Sequence, residues 1–130
     1  MKGSILALIA LCLSSAAWSA TERPTEKDVL INIHDVILPA GFDAESDVVV
    51  IESGVFPNSC YSWKEASVMN DKSAGLVEVR STARVSQGMC LMVMVPFNKE
   101  VNLGRLGQGE HKVRFLNGDG TFIEKLIKIE

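Results

Sequence analysis

From Asp28 onward the chain alternates in twos: Val29, Ile31 and Ile33 share one side while Asn32 and His34 share the other, the period of a strand and not of a helix. Asp35 breaks the phase, and Val36 and Leu38 resume it shifted by one residue, which a β-bulge would explain. Pro39-Ala40-Gly41 reads as a turn. Val48, Val49, Val50 and Ile51 then stand in a row within Asp47 to Glu52, a β-branched run typical of a strand covered on both faces. Gly54 and Pro57-Asn58-Ser59 mark the next break.

Beyond Cys60, Tyr61, Trp63 and Val68 lead to a polar loop, Asn70 to Gly75. Leu76 to Val85 sets Val77, Val79, Ser81, Ala83 and Val85 on one face and Glu78, Arg80, Thr82 and Arg84 on the other, which predicts a half-buried antiparallel strand. Ser86-Gln87-Gly88 turns the chain into Met89 to Phe97, apolar on both sides and so expected to be a central strand. Val101 to Leu103 predicts a short strand, Glu110 to Leu116 alternates again, and Asn117-Gly118-Asp119-Gly120 is a hairpin signal before Thr121 to Ile129. No long stretch has helical periodicity. About seven or eight short strands separated by turns predict an all-β fold, an antiparallel β-sandwich, with a small closed barrel as the alternative.

The first residues carry a different pattern. Lys2 precedes an unbroken apolar run from Ile5 to Leu13, and small residues follow up to Ala20, the order of parts in a signal peptide. The apolar run is shorter than the roughly 20 residues that span a bilayer. Ala17 and Ser19 place cleavage between Ser19 and Ala20, so residues 1–19 are read as the signal peptide and 20–130 as one exported domain, bound for periplasm or medium. Cys12 lies in the apolar run with Leu11 before it, where a lipoprotein signal carries a small residue, and leaves with the signal. Removing Lys2 from the 13 basic residues leaves 12 against 16 acidic ones, a net charge of −4, which offers no electrostatic reason to seek nucleic acid or an anionic membrane. No second apolar run would anchor the mature chain.

Cys60 and Cys90 survive processing in a compartment where disulfides persist, and are expected to pair. Closing a loop of about thirty residues stabilises a fold by roughly 3 to 4 kcal/mol on the chain-entropy model. A zinc site from both cysteines with His34 and His111 has no ligand spacing behind it.

The segment Leu103-Gly104-Arg105-Leu106-Gly107-Gln108-Gly109-Glu110-His111-Lys112-Val113 resembles the corner between two late strands of fibronectin-type and other immunoglobulin-like sandwiches, where Leu-x-Pro-Gly-x-Tyr is usual. Gln108 stands in place of the proline and His111 in place of the tyrosine, so the corner closes through an imidazole with a shorter, tautomer-dependent reach. Gly54-Val55-Phe56-Pro57-Asn58-Ser59-Cys60, Cys90, Val95-Pro96-Phe97, Val101-Asn102-Leu103 and Asn117-Gly118 follow an order similar to that of small exported bacterial β-sandwich modules. The resemblance covers about two thirds of the mature chain; it supports the disulfide and implies no chemistry.

Candidate sites are few. His34 and Asp35 are the only adjacent histidine and acid, but in a regular strand they point to opposite faces, and no nucleophile motif accompanies them. Cys90, Met92 and Met94 fall on one face with Met69 and Met89 as possible neighbours, and with His34 or His111 they make a copper-handling protein the second hypothesis, although methionine is an ordinary core filler. Phe56, Tyr61 and Trp63 are candidate partner-binding residues: with Cys60 pointing inward, alternation turns the two aromatics after it outward, while the competing expectation packs Trp63 inside. Lys112, Arg114, Lys125 and Lys128 read as a solvated sheet face. The chain is expected to be a non-enzymatic module without a cofactor, binding or supporting another envelope or extracellular protein through a sheet face or edge.

Overall fold

The computed structural model describes residues 25–130, which form eight strands and no helix. These are β1 (Glu26–Leu30), β2 (Asp35–Ile37), β3 (Asp47–Phe56), β4 (Tyr61–Asp71), β5 (Leu76–Ser86), β6 (Val95–Arg105), β7 (Gly109–Leu116) and β8 (Phe122–Ile129). The expected signal peptide and its cleavage point lie outside the described residues.

Two sheets pack face to face. In the larger one, β4 pairs along almost the whole of β5, whose other edge is shared: β1 pairs with its second half, from Leu30↔Thr82 to Glu26↔Ser86, and β7 with its first half, from Leu76↔Lys112 to Arg80↔Leu116. The hairpin partner β8 completes this sheet. The smaller sheet has the order β2-β3-β6. All pairs are antiparallel except β5 with β7. The fold is thus the expected β-sandwich.

The sharply alternating strands behave as their sequences require. Val77, Val79, Ser81, Ala83 and Val85 of β5 are buried, and Val48 and Val50 of β3 meet them from the other sheet. Phe115, Leu106, Val113 and Ile129 fill the remaining interior. Each such apolar side chain contributes roughly 1.5 to 3 kcal/mol on leaving water. The Asn117–Gly120 turn is a hairpin closed by Asn117 N–H to the Thr121 carbonyl at 2.8 Å, with Gly120 at a φ of 88° that favours glycine.

Three expectations are corrected. The phase break at Asp35 is a change of sheet and not a bulge: Ile31 N–H donates to Ser81 O in the larger sheet at 3.0 Å, and His34 N–H donates to Ser53 O in the smaller one at 2.8 Å. The Asn117 side chain holds this crossover by accepting from Ile33 N–H at 2.8 Å. Gly54 does not end a strand but lies inside β3, because the Phe97 ring covers it so closely that a Cβ would sit 2.6 Å from Phe97 Cζ. Met89 to Phe97 is not a central strand. Residues 89–94 join no ladder, β6 begins only at Val95, and it continues through the expected short Val101–Leu103 strand to Arg105.

Candidate functional site

The segment between β5 and β6 is held at its base. Cys60 and Cys90 form a disulfide, Cα atoms 5.3 Å apart across a separation of 30 residues. Ser59 N–H donates to the Leu91 carbonyl at 3.0 Å, and Leu91 N–H donates to Ser59 Oγ at 2.7 Å. Cys60 N–H donates in turn to Asn58 Oδ1 at 2.9 Å. Above this clamp, Met89, Leu91, Met92, Val93 and Met94 are each more than half exposed. The apolar character that suggested a central strand is real, but the disulfide draws the segment towards the turn before β4, away from any neighbouring strand.

The aromatic candidates point the other way. Cys60 lies in a turn and not in β4, so strand alternation does not carry from it to Tyr61. Phe56 is buried, stacked on Phe97 with ring centroids 4.4 Å apart and on Tyr61 at 5.7 Å. Tyr61 and Trp63 are half-buried against the core, and Lys99 Nζ lies 5.8 Å from the Trp63 ring centre. They form no open aromatic surface. A cavity of about 660 Å³ opens beside Phe56 and Tyr61, with Val29, Asn32, His34 and Asp119 also in its lining. The Asp119 carboxyl is held below the usual carboxylate range, first by the Thr121 hydroxyl and then by the Thr121 amide.

The histidines are separated. His34 lines that cavity, while the carboxylate of Asp35 accepts from Val36 N–H at 2.8 Å, so the adjacent pair is not assembled into an acid/base unit. His111 is at the opposite end, where the corner expected from the sequence closes: Leu106 is fully buried, and the His111 ring bonds to the Gly107 carbonyl through Nε2. A carbonyl only accepts, so Nε2 carries the proton, and Nδ1 is left buried without a partner among the described residues. Gly104 and Gly109, with φ of 76° and 121°, supply backbone angles that a Cβ would oppose. Met69 stands near the far end of β4, eight residues or about 27 Å along the strand from Tyr61. Met69, His34 and His111 therefore do not gather around the methionines of residues 89–94. Among the described residues, no group of three or more His, Cys, Asp or Glu is placed to hold a metal ion.

On the larger sheet's outer face Glu124 receives Arg114 Nε at 2.9 Å and Lys112 Nζ at 3.6 Å, and the Arg114 bond foremost holds its carboxyl low. This matches the solvated face expected for Lys112 and Arg114.

One polar residue escaped the sequence reading. Glu52 is fully buried between the sheets, where Trp63 Nε1–H of β4 donates to Oε1 at 2.8 Å and Ser81 Oγ of β5 lies 2.6 Å from Oε1 and 2.8 Å from Oε2. Burial pushes its carboxyl above the ordinary value, and the bonds from Ser81 and Trp63 partly oppose this. Its position was visible in principle, since Glu52 falls in step with the inward Val48, Val50 and Phe56.

Residues 50–124, from within β3 to within β8, match the model of the ORF11 beta-sandwich domain. The chain belongs to that family. The ORF11 match takes in the disulfide, the Glu52 cluster and the exposed 89–94 segment. No curated protein and no solved structure matches the chain. No helix among the described residues is long and apolar enough to cross a membrane.

Proposed function

We propose that this ORF11 β-sandwich domain is an exported, immunoglobulin-like, non-enzymatic module of the bacterial envelope that binds another envelope or extracellular protein through residues 89–94 and the edge of β6 that follows. The observation that carries this reading is the run of five large apolar side chains, each more than half exposed, on a segment fastened by a disulfide. Scattered apolar residues on a surface need no explanation, but a contiguous uncharged cluster marks an interaction site. The adjoining edge is guarded by Pro96 and by exposed Asn98, Lys99 and Glu100, devices that discourage indiscriminate strand pairing. Residues 89–94 have no such guard. Their unbranched methionines re-pack readily against a partner's apolar surface. Export is supported by the leading apolar run and by a disulfide, which persists in oxidising compartments. The histidine-closed corner supports the immunoglobulin-like assignment.

The test is photo-crosslinking from position 93 of the mature, oxidised protein in an envelope extract, compared with a Leu91→Ser/Val93→Ser variant. A crosslinked partner that the double variant no longer captures supports the reading. A strictly monomeric protein that crosslinks to nothing overturns it.

A further inference from the structure

Among the described residues no methionine is used as core filler. Met69, Met89, Met92 and Met94 are all more than half exposed, while the buried core is built of valine, isoleucine, leucine, phenylalanine and alanine with Cys60. The main physical objection to a thioether site, that flexible methionines normally fill irregular interiors, therefore does not apply to this chain. Three of the four stand together as Met89-x-x-Met92-x-Met94 on the disulfide-fastened segment. We propose that Met89, Met92 and Met94 form a thioether site for a soft monovalent cation, Cu(I).

The donor set decides the ion. Cys90, in the middle of the segment, is committed to its disulfide and supplies no thiolate. His111 is at the other end of the sandwich, and the nearer His34 is displaced across β3: it continues β2 beside Gly54, whereas Met94 precedes the Phe56↔Val95 pair on the opposite side. Three neutral, polarisable sulfurs without imidazole or carboxylate suit a soft cation of single charge and are poor ligands for Zn(II) or Cu(II). Two residues of chain span at most about 7 Å, so Met92 and Met94 stay within reach of a common centre for side chains of three rotatable bonds. Because residues 89–94 belong to no ladder, Met89 can join them without breaking strand pairing. The disulfide at Cys90 and the paired bonds between Ser59 and Leu91 hold the segment's base before any ion arrives, which lowers the ordering cost of binding.

The experiment uses mature, oxidised protein carrying ¹³C-methyl methionine, titrated with Ag(I) as a redox-inert surrogate and with Cu(I) maintained by ascorbate, which leaves the disulfide intact. The methyl signals of Met89, Met92 and Met94 are expected to shift together and saturate at one equivalent, with Met69 unmoved and Zn(II) without effect. A Met92→Leu/Met94→Leu variant keeps the apolar surface and should lose saturable binding. Absence of shifts with both ions, movement of Met69 in parallel, or equal binding by the leucine variant would overturn the site. The leucine variant retains crosslinking from position 93 and the serine variant retains the thioethers, so the metal site and the protein-binding reading fail separately.

Discussion

Replacing Glu52 with glutamine is expected to leave the sandwich intact and to raise its stability at neutral pH, by an amount that vanishes in acid. Three close contacts surround the Glu52 carboxyl, but its neighbours bring two hydrogens, one on Trp63 Nε1 and one on Ser81 Oγ. The Ser81 hydroxyl has one hydrogen for both Oε1 and Oε2, so the charged carboxyl is short of donors in a site closed to water. Burial pushes the Glu52 pKa upward from 4.5, in agreement with that count. The unfolded chain loses this proton near the ordinary value, whereas the folded protein keeps it to higher pH. Between those two points the native state binds more protons, so stability falls as pH rises, by up to about 1.4 kcal/mol per pH unit. The contribution is fully present below the unfolded pKa and is lost once pH has passed the folded one.

Glutamine has no proton to release; its amide donates to Ser81 while its oxygen accepts from Trp63. Urea unfolding of the oxidised protein from residue 20 onward, followed by the fluorescence of Trp63 from about pH 3 to about pH 8, measures the difference between variant and wild type. That difference should grow as pH rises above 4.5 and then level off. Surface acids such as Asp28 and Glu124 are common to both proteins and cancel. A difference that does not vary with pH, or that widens in acid, would refute the reasoning. Glu52→Leu separates the two physical terms, because it strands the Trp63 N–H and the buried Ser81 hydroxyl and should lower stability at every pH, by about 1 to 3 kcal/mol for each donor left unpaired.

Gly54→Ala should destabilise the protein by about 1 to 3 kcal/mol through overpacking against Phe97, and Gly54→Ala/Phe97→Leu should recover part of that loss in the same unfolding assay. Replacing Cys60 and Cys90 with alanine should cost roughly 3 to 4 kcal/mol and raise hydrogen exchange in residues 89–94; unchanged stability would remove the fastening role assigned to the bond. His111→Ala should cost about 1 kcal/mol, with amide protection lost first between Gly104 and Glu110 and not in β5; uniform loss of protection would contradict a local corner role. Asn117→Ala removes the acceptor for Ile33 N–H and should destabilise by about 1 to 3 kcal/mol, with the crossover amides from Ile31 to His34 exchanging faster.

The sequence by itself determined which residues face inward wherever alternation was strict. Val77 to Val85 in β5 and the Asn117–Gly120 hairpin follow from period-two patterning and turn chemistry, both local properties, while the Leu106–His111 corner was legible only through the resemblance to immunoglobulin-like sandwiches. The disulfide was legible because residues 20–130 contain two cysteines, enough for one bond. Tertiary structure alone decided where a strand changes sheet, since the Asp35 phase shift is equally compatible with a bulge and with a crossover, and the choice rests on Ser53, Ser81 and Asn117, far away in sequence. It also decided that Met89 to Met94 face solvent. An apolar run states a preference for burial but supplies no surface to bury against, and this segment is held by Cys60 and Ser59 where neither sheet covers it. Glu52 shows the converse: a carboxyl that composition alone would place in water is accepted inside because Trp63 and Ser81 from the opposite sheet meet it there.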